Sequence, residues 1–145
     1  DHKRYLTGPF LNRAAIQADA EEKIRNYDIR PANPHLKTAN FSGGNQQKIV
    51  LAREIEKDPG VLIVGQPTRG VDVGAIEFIH KRLIAMRDAG KAVLLVSVEL
   101  DEIRSLSDRI LVMFDGRIVG ERDGEAGEGE LGLLMAGVER KEAAA

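Results

Sequence analysis

Between Val61 and Phe114 the chain alternates short unbroken apolar runs with segments whose apolar residues recur at helical spacing, and this alternation constrains the fold more than any other feature. The runs are VLIV, AVLLVSV and ILVMF. VLIV lies between the Pro59-Gly60 turn and Gly-Gln-Pro-Thr, and it reads as a strand buried on both faces. From Gly74 to Ala89, Ile76, Ile79, Leu83 and Met86 define a helix closed by Gly90 as C-cap. AVLLVSV reads as a second buried strand and ELDEIRSLSD as a short helix with acids in its first turn. RILVMFDGRIVGER is two strands around Asp115-Gly116, a dipeptide favoured in type I′ hairpins. Strand, helix, strand, helix, hairpin in this order is an α/β fold with a mostly parallel sheet and a C-terminal antiparallel hairpin.

Upstream, Ile16, Ala20, Ile24 and Tyr27 mark one stripe of a helix from Asn12 to Tyr27. Pro31 and Pro34 make DIRPANPHLKTANF a connector. SGGNQQKIVLAREIEKD then reads as a helix with Ser42 before it, Leu51, Ala52 and Ile55 on one face, and Pro59-Gly60 after it. At the other end, DGEAGEGE is a Gly/Glu linker, ELGLLMAG forms one helical turn or two, and KEAAA frays.

The totals narrow the function classes. The 145 residues suit one domain, and 21 basic against 23 acidic residues leave a charge of −2 with no basic block, so nucleic acid is not an expected partner. There is no cysteine, hence no disulfide and no thiolate metal site, which suits a reducing cytosol. His2, His35 and His80 are too scattered to hold a metal. No apolar run is long enough to span a bilayer, and the charged opening DHKRYLTG lacks a signal peptide's apolar stretch. Beginning with Asp rather than Met, that opening reads as the middle of a longer chain.

The segment FSGGNQQK, Phe41 to Lys48, carries the most chemistry. Two glycines let the backbone approach a ligand closely, and free amides with the helix dipole favour an anion such as phosphate. From Ser-Gly-Gly alone, an ordinary N-cap followed by a tight turn remains open beside the phosphate cradle. The order FSGGNQQKIVLARE, VLIVGQPTRGVD, AVLLVSVELDE resembles the ATP-binding domain of ABC transporters, over roughly residues 12 to 122. Phe41 to Asn45 is similar to that family's signature, Val61 to Gln66 to its Walker B strand, Arg69 to Asp72 to its D-loop and Ser97 to Glu99 to its switch. PTRGVDVGA and IEFIHKRL look most like the second half of fused ATPases that drive import of simple sugars or nucleosides.

Several elements of that family are missing. No G-x-x-x-x-G-K-[ST] occurs: the only Gly-Lys, Gly90-Lys91, is followed by Ala92 and has Ala85 where the first glycine belongs. A Walker B strand usually ends in an Asp that helps hold Mg²⁺ and a Glu that polarises water, whereas here Gly65 and Gln66 follow the strand. An amide cannot serve as a carboxylate base, and Val98, in place of the switch histidine, has no donor. Glu99 beside it reads as an ordinary first-turn acid and Arg69 as an exposed loop arginine.

The resemblance implies residues 1–122 as the C-terminal portion of a nucleotide-binding domain, with a helical signature part over about 10 to 58 and Walker B to hairpin over 60–122. Residues 123–145 would be linker and tail. It implies Ser42, Gly43, Gly44 and Asn45 closing over an ATP held by the first ATPase domain of the same polypeptide, and Asp72 at the domain interface. ATP and Mg²⁺ would serve the full assembly, with none bound tightly by this chain alone, beside permease subunits on the inner face of the cell membrane. The P-loop strand, which would lie between AVLLVSV and RILVMF, is absent, so the isolated chain is expected to re-pair strands or self-associate. An α/β interaction module without nucleotide use, or a soluble ABC protein of translation or repair, are the alternatives.

Overall fold

The computed structural model of the chain describes residues 2–138. The expectation for KEAAA therefore lies outside the described residues. The chain divides into two units, the first running to Leu62 and resuming over Pro67–Val93, the second comprising Ile63–Gln66 and the residues from Leu94 onward.

The first unit opens with a small antiparallel pair, β1 (Leu6–Thr7) and β2 (Phe10–Leu11), reversed at Gly8 with φ +62°. Helix α1 (Arg13–Asn26) is capped by Asn12, whose side chain accepts from the Ala15 amide at 3.0 Å. The Ile16–Ala20–Ile24 stripe exists in sequence, but no residue of α1 is fully buried and Ile16 is exposed. The helix is held by the Tyr5 hydroxyl, which donates to Asp19 Oδ2 at 2.8 Å, by Ile24 against the core, and at its end by Tyr27. Its ring lies among Ile29, Phe41 and Ala52, while its hydroxyl donates to Glu56 Oε1 at 3.1 Å. Burial first, with the Glu56 carboxylate adding, pushes the Tyr27 phenol up to about 12. The Arg82 guanidinium covers the Tyr27 ring at 4.6 Å and bonds the Asn26 carbonyl.

Helix α2 (Gly43–Ile55) buries Gly44, Lys48, Leu51 and Ala52. Helix α3 (Val73–Asp88) buries Ala75, Ile79, Leu83 and Met86 and stops at Gly90, whose φ of +79° suits the C-cap role read from sequence. Their bounds agree with the apolar periodicity to within three residues.

Strands β3 (Val61–Gly65) and β4 (Ala92–Val96) form a two-stranded sheet among the described residues. Ala92 N–H donates to the Gly60 carbonyl at 3.0 Å and Gln66 N–H to the Val96 carbonyl at 2.8 Å, an order that makes the pair parallel. The expectation that both strands are buried on two faces is corrected here. Leu62 and Val64 are buried, but Val61 and Ile63 are 63% and 71% exposed, and Leu94 and Val96 are 53% and 55% exposed. An unbroken apolar run reports that both faces favour burial; among the described residues only one face of β3 is covered.

In the second unit, α4 (Leu100–Leu106) precedes the hairpin β5 (Arg109–Phe114) and β6 (Arg117–Asp123). Asp115 and Gly116 have φ of +46° and +73°, as a type I′ turn requires. The register slips once, so that Val112 faces Gly120 while Met113 faces Ile118. Beyond the hairpin, Glu128–Met135 forms α5, two turns long. Leu131 and Leu134 from α5 bury against Ile110 and Val112, and a Cβ on Gly120 would sit 2.9 Å from Leu134 Cδ1. The segment read as linker and tail thus supplies part of this unit's core.

Candidate functional site

The signature-like segment begins at Ser42, with φ −61° and ψ 158°, the extended geometry of an N-cap. The first bond of the helical ladder runs from Gln46 N–H to the Ser42 carbonyl at 2.9 Å, so the amides of Gly43 and Gly44 precede the ladder. Ser42 and Gly43 are exposed; Gly44 is buried. Ser42 Oγ accepts from Asn45 Nδ2 at 2.8 Å and, at a weak 3.5 Å, from the Asn45 amide. Asn45 Oδ1 accepts in turn from Arg30 N–H at 2.7 Å.

Each glycine has a steric reason. A Cβ on Gly43 would lie 3.2 Å from the Gly70 carbonyl oxygen, and one on Gly44 would lie 2.9 Å from both Ala75 Cβ and Asp72 Oδ2. Asp72 caps α3 by accepting from Ala75 N–H at 2.9 Å through Oδ1. Its carboxylate therefore faces the N-terminal ends of both α2 and α3, where the helix dipoles favour negative charge. Ser42, Gly43, Gly44, Asn45 and Asp72 thus come together within the first unit.

Sequence reasoning missed what holds this helix start in place. Lys48, four residues after Gly44, donates from Nζ to the Asp28 carbonyl at 3.0 Å, reaches Asp28 Oδ2 at 3.6 Å and lies 4.8 Å over the Phe78 ring. The Arg30 guanidinium bonds Asp28 and holds its carboxyl below the usual range, with Lys48 adding to the pull. Gln46 Nε2 donates to the Phe41 carbonyl at 2.8 Å. The available signal was a lysine on the apolar face of a helix, in register with Gly44 and Leu51.

The second unit carries Gly65, Gln66 and Val98. A Cβ at Gly65 would meet nothing within 4 Å, so the strand end has room for a side chain and none is there. Gln66 takes φ +49° and is half-buried. Val98 is 61% exposed. Glu99 precedes α4 without a side-chain cap bond, and its own amide donates to Ser97 Oγ at 3.1 Å. Arg69 is exposed, and no group of three metal-ligating side chains occurs among the described residues. Chemically, Ser42 and Gly43 offer donors to an anion, while positions 65, 66 and 98 offer neither carboxylate nor imidazole.

No family model matches the chain. It is similar to the guanosine import ATP-binding protein NupO of Bacillus subtilis (strain 168), with 52% identity over 142 residues, covering 97% of this chain and 28% of that protein. It is 54% identical over 129 residues to the nucleoside import ATP-binding protein NupA of Lactococcus lactis subsp. cremoris (strain MG1363), covering 88% of this chain and 26% of that protein. The chain thus spans about a quarter of the length of these curated relatives. Among solved structures it resembles the ATP-binding cassette MJ0796 in a dimeric post-hydrolysis state bound to ADP and Pi, with TM-score 0.68 and 23% identity over 84% of this chain and 52% of that one. A second similar structure is an ATP binding subunit of an ABC transporter, with TM-score 0.69 and 20% identity over 83% and 55%.

Proposed function

This chain is a C-terminal portion of an ABC ATPase domain, and from that premise we propose that it serves an import transporter for nucleosides or simple sugars by lending its signature segment to an ATP held by another domain. One observation carries the reading. Ser42 and Gly43 are exposed at a helix start that can donate to phosphate, while Gly65, Gln66 and Val98 supply neither a carboxylate nor an imidazole to act as base.

The residues fit the ATP phosphates in a divided way. Ser42 and Gly43 are exposed, and Ser42 Oγ–H and Gly43 N–H would contact the terminal phosphate. Gly44 would allow the close approach of α2 to Asp72 and Ala75, and Asn45 would hold the serine. Asp72, occupied as the α3 cap, would fix the loop that meets the partner domain. Mg-ATP, when bound, supplies the reactive phosphoryl group. The base and the metal-binding carboxylate for the productive site would come from the other domain, the first ATPase domain of the same polypeptide. Permease subunits would hold the assembly on the inner face of the cell membrane. No described helix is long and apolar enough to cross a bilayer.

The test is Gln66→Ala in the complete transporter. Because an amide at this position contributes no base, ATP turnover is expected to stay within about twofold of wild type. A loss of about tenfold or more would show that position 66 takes part in hydrolysis and would overturn the assignment.

A further inference from the structure

We propose that Asn45 is a positioning residue that turns the Ser42 hydroxyl into an outward-pointing donor, a role that rests on Ser42 meeting the ATP phosphate. A serine hydroxyl has one proton and two lone pairs, and by itself it can face a ligand as donor or as acceptor. Here the choice is made by its neighbour. Asn45 Nδ2 donates to Ser42 Oγ at 2.8 Å, and the Asn45 backbone amide lies on the same side at 3.5 Å. Both are donors, so the serine proton finds no acceptor toward Asn45 and turns away from it. Ser42 is exposed, so a proton turned away from Asn45 is free to meet an approaching ligand.

The orientation of the Asn45 amide is fixed independently. Its Oδ1 accepts from Arg30 N–H at 2.7 Å; exchanging oxygen and nitrogen would set two donors against each other there and remove the donor to Ser42. Arg30 is itself held, because Lys48 bonds the Asp28 carbonyl two residues earlier. The result is a one-way relay, Arg30 N–H to Asn45 Oδ1, Asn45 Nδ2–H to Ser42 Oγ, and Ser42 O–H outward. Each bond polarises the next in the same sense. Such a hydroxyl suits an anionic acceptor, the phosphoryl oxygen, and is a poor match for a group that donates.

Asn45→Asp tests this with almost no change of shape. The aspartate still accepts from Arg30 N–H but also accepts from Ser42, drawing the serine proton inward. In the complete transporter ATPase, N45D is expected to lower turnover roughly tenfold with the melting temperature unchanged. S42A is expected to lower it by a similar factor, and the N45D/S42A pair no further than S42A alone, because the aspartate acts through a hydroxyl that is then absent. A second readout needs no ATP. In the 145-residue chain, the Arg30 amide should keep its protection from hydrogen exchange in N45D and lose it in N45A, and the Asn45 side-chain amide resonance should shift in S42A. If S42A leaves turnover at the wild-type level, Ser42 does not meet phosphate and the underlying functional assignment falls together with the relay. If S42A is damaging but N45D matches wild type, or if the double variant loses a further tenfold, the relay alone is overturned, since the aspartate then acts on phosphate by charge and not through the serine.

Discussion

Ser42→Arg in the complete transporter ATPase is expected to lower ATP turnover by about a hundredfold or more, equivalent to about 3 kcal/mol or more of transition-state stabilisation. Three changes coincide at one exposed position. The hydroxyl that would donate to the terminal phosphate is lost. A long side chain enters the space that, on the proposed function, another domain's nucleotide would occupy. The α2 cap also goes, which costs about 1 kcal/mol of stability. Only the last affects folding, and it is small, so the variant chain should remain folded while turnover collapses. An α/β module that had abandoned nucleotide would tolerate the same change, because Ser42 is exposed. Steady-state turnover beside a melting curve separates the two outcomes.

Gly44→Val should act through packing. A Cβ at this position would lie 2.9 Å from Ala75 Cβ and 2.9 Å from Asp72 Oδ2, well inside contact distance, and the branched methyls would add to the overlap. The start of α2 must then move off the start of α3, and the Asp72 carboxylate loses its seat between two helix ends. A loss of about 3 kcal/mol in stability is expected, a large part of what a domain of this size holds. Gly43→Ala makes a useful contrast. Its new Cβ would meet only the Gly70 carbonyl oxygen, at 3.2 Å, so the stability loss should be well under that of Gly44→Val. Urea denaturation of both variants checks the ranking; equal losses would mean that α2 and α3 do not depend on close approach at Gly44.

Much of this was legible in the residues themselves because it is local. Ser42 before Gly43-Gly44 and an apolar stripe places the start of α2, Gly90 places the end of α3, and Asp115-Gly116 places a type I′ turn whose two positive φ angles the structure contains. What the sequence left unread depends on partners far along the chain. VLIV and AVLLVSV carry apolar residues on both faces, but which face is covered depends on what packs there, and Ile63 and Val96 stand exposed. Ile16, Ala20 and Ile24 form a helical stripe of which Ile16 stays exposed and Ala20 and Ile24 are only partly buried. Asp72 is readable as a helix cap, yet its approach to Gly44 across 28 positions is not, and neither is the bond from Arg30 to Asn45 across 15.

The empty end of β3 and the exposed start of α2 belong to one claim: this chain contributes to an ATP that it does not itself hold. Isothermal titration of Mg-ATP into the 145-residue chain tests that most directly. The expected result is no saturable binding heat up to millimolar nucleotide, because Gly65 and Gln66 offer no carboxylate for the metal and the donors of Ser42 and Gly43 are too few to hold a triphosphate alone. Saturable binding with a micromolar Kd would contradict it, and would place on this chain a nucleotide site of its own.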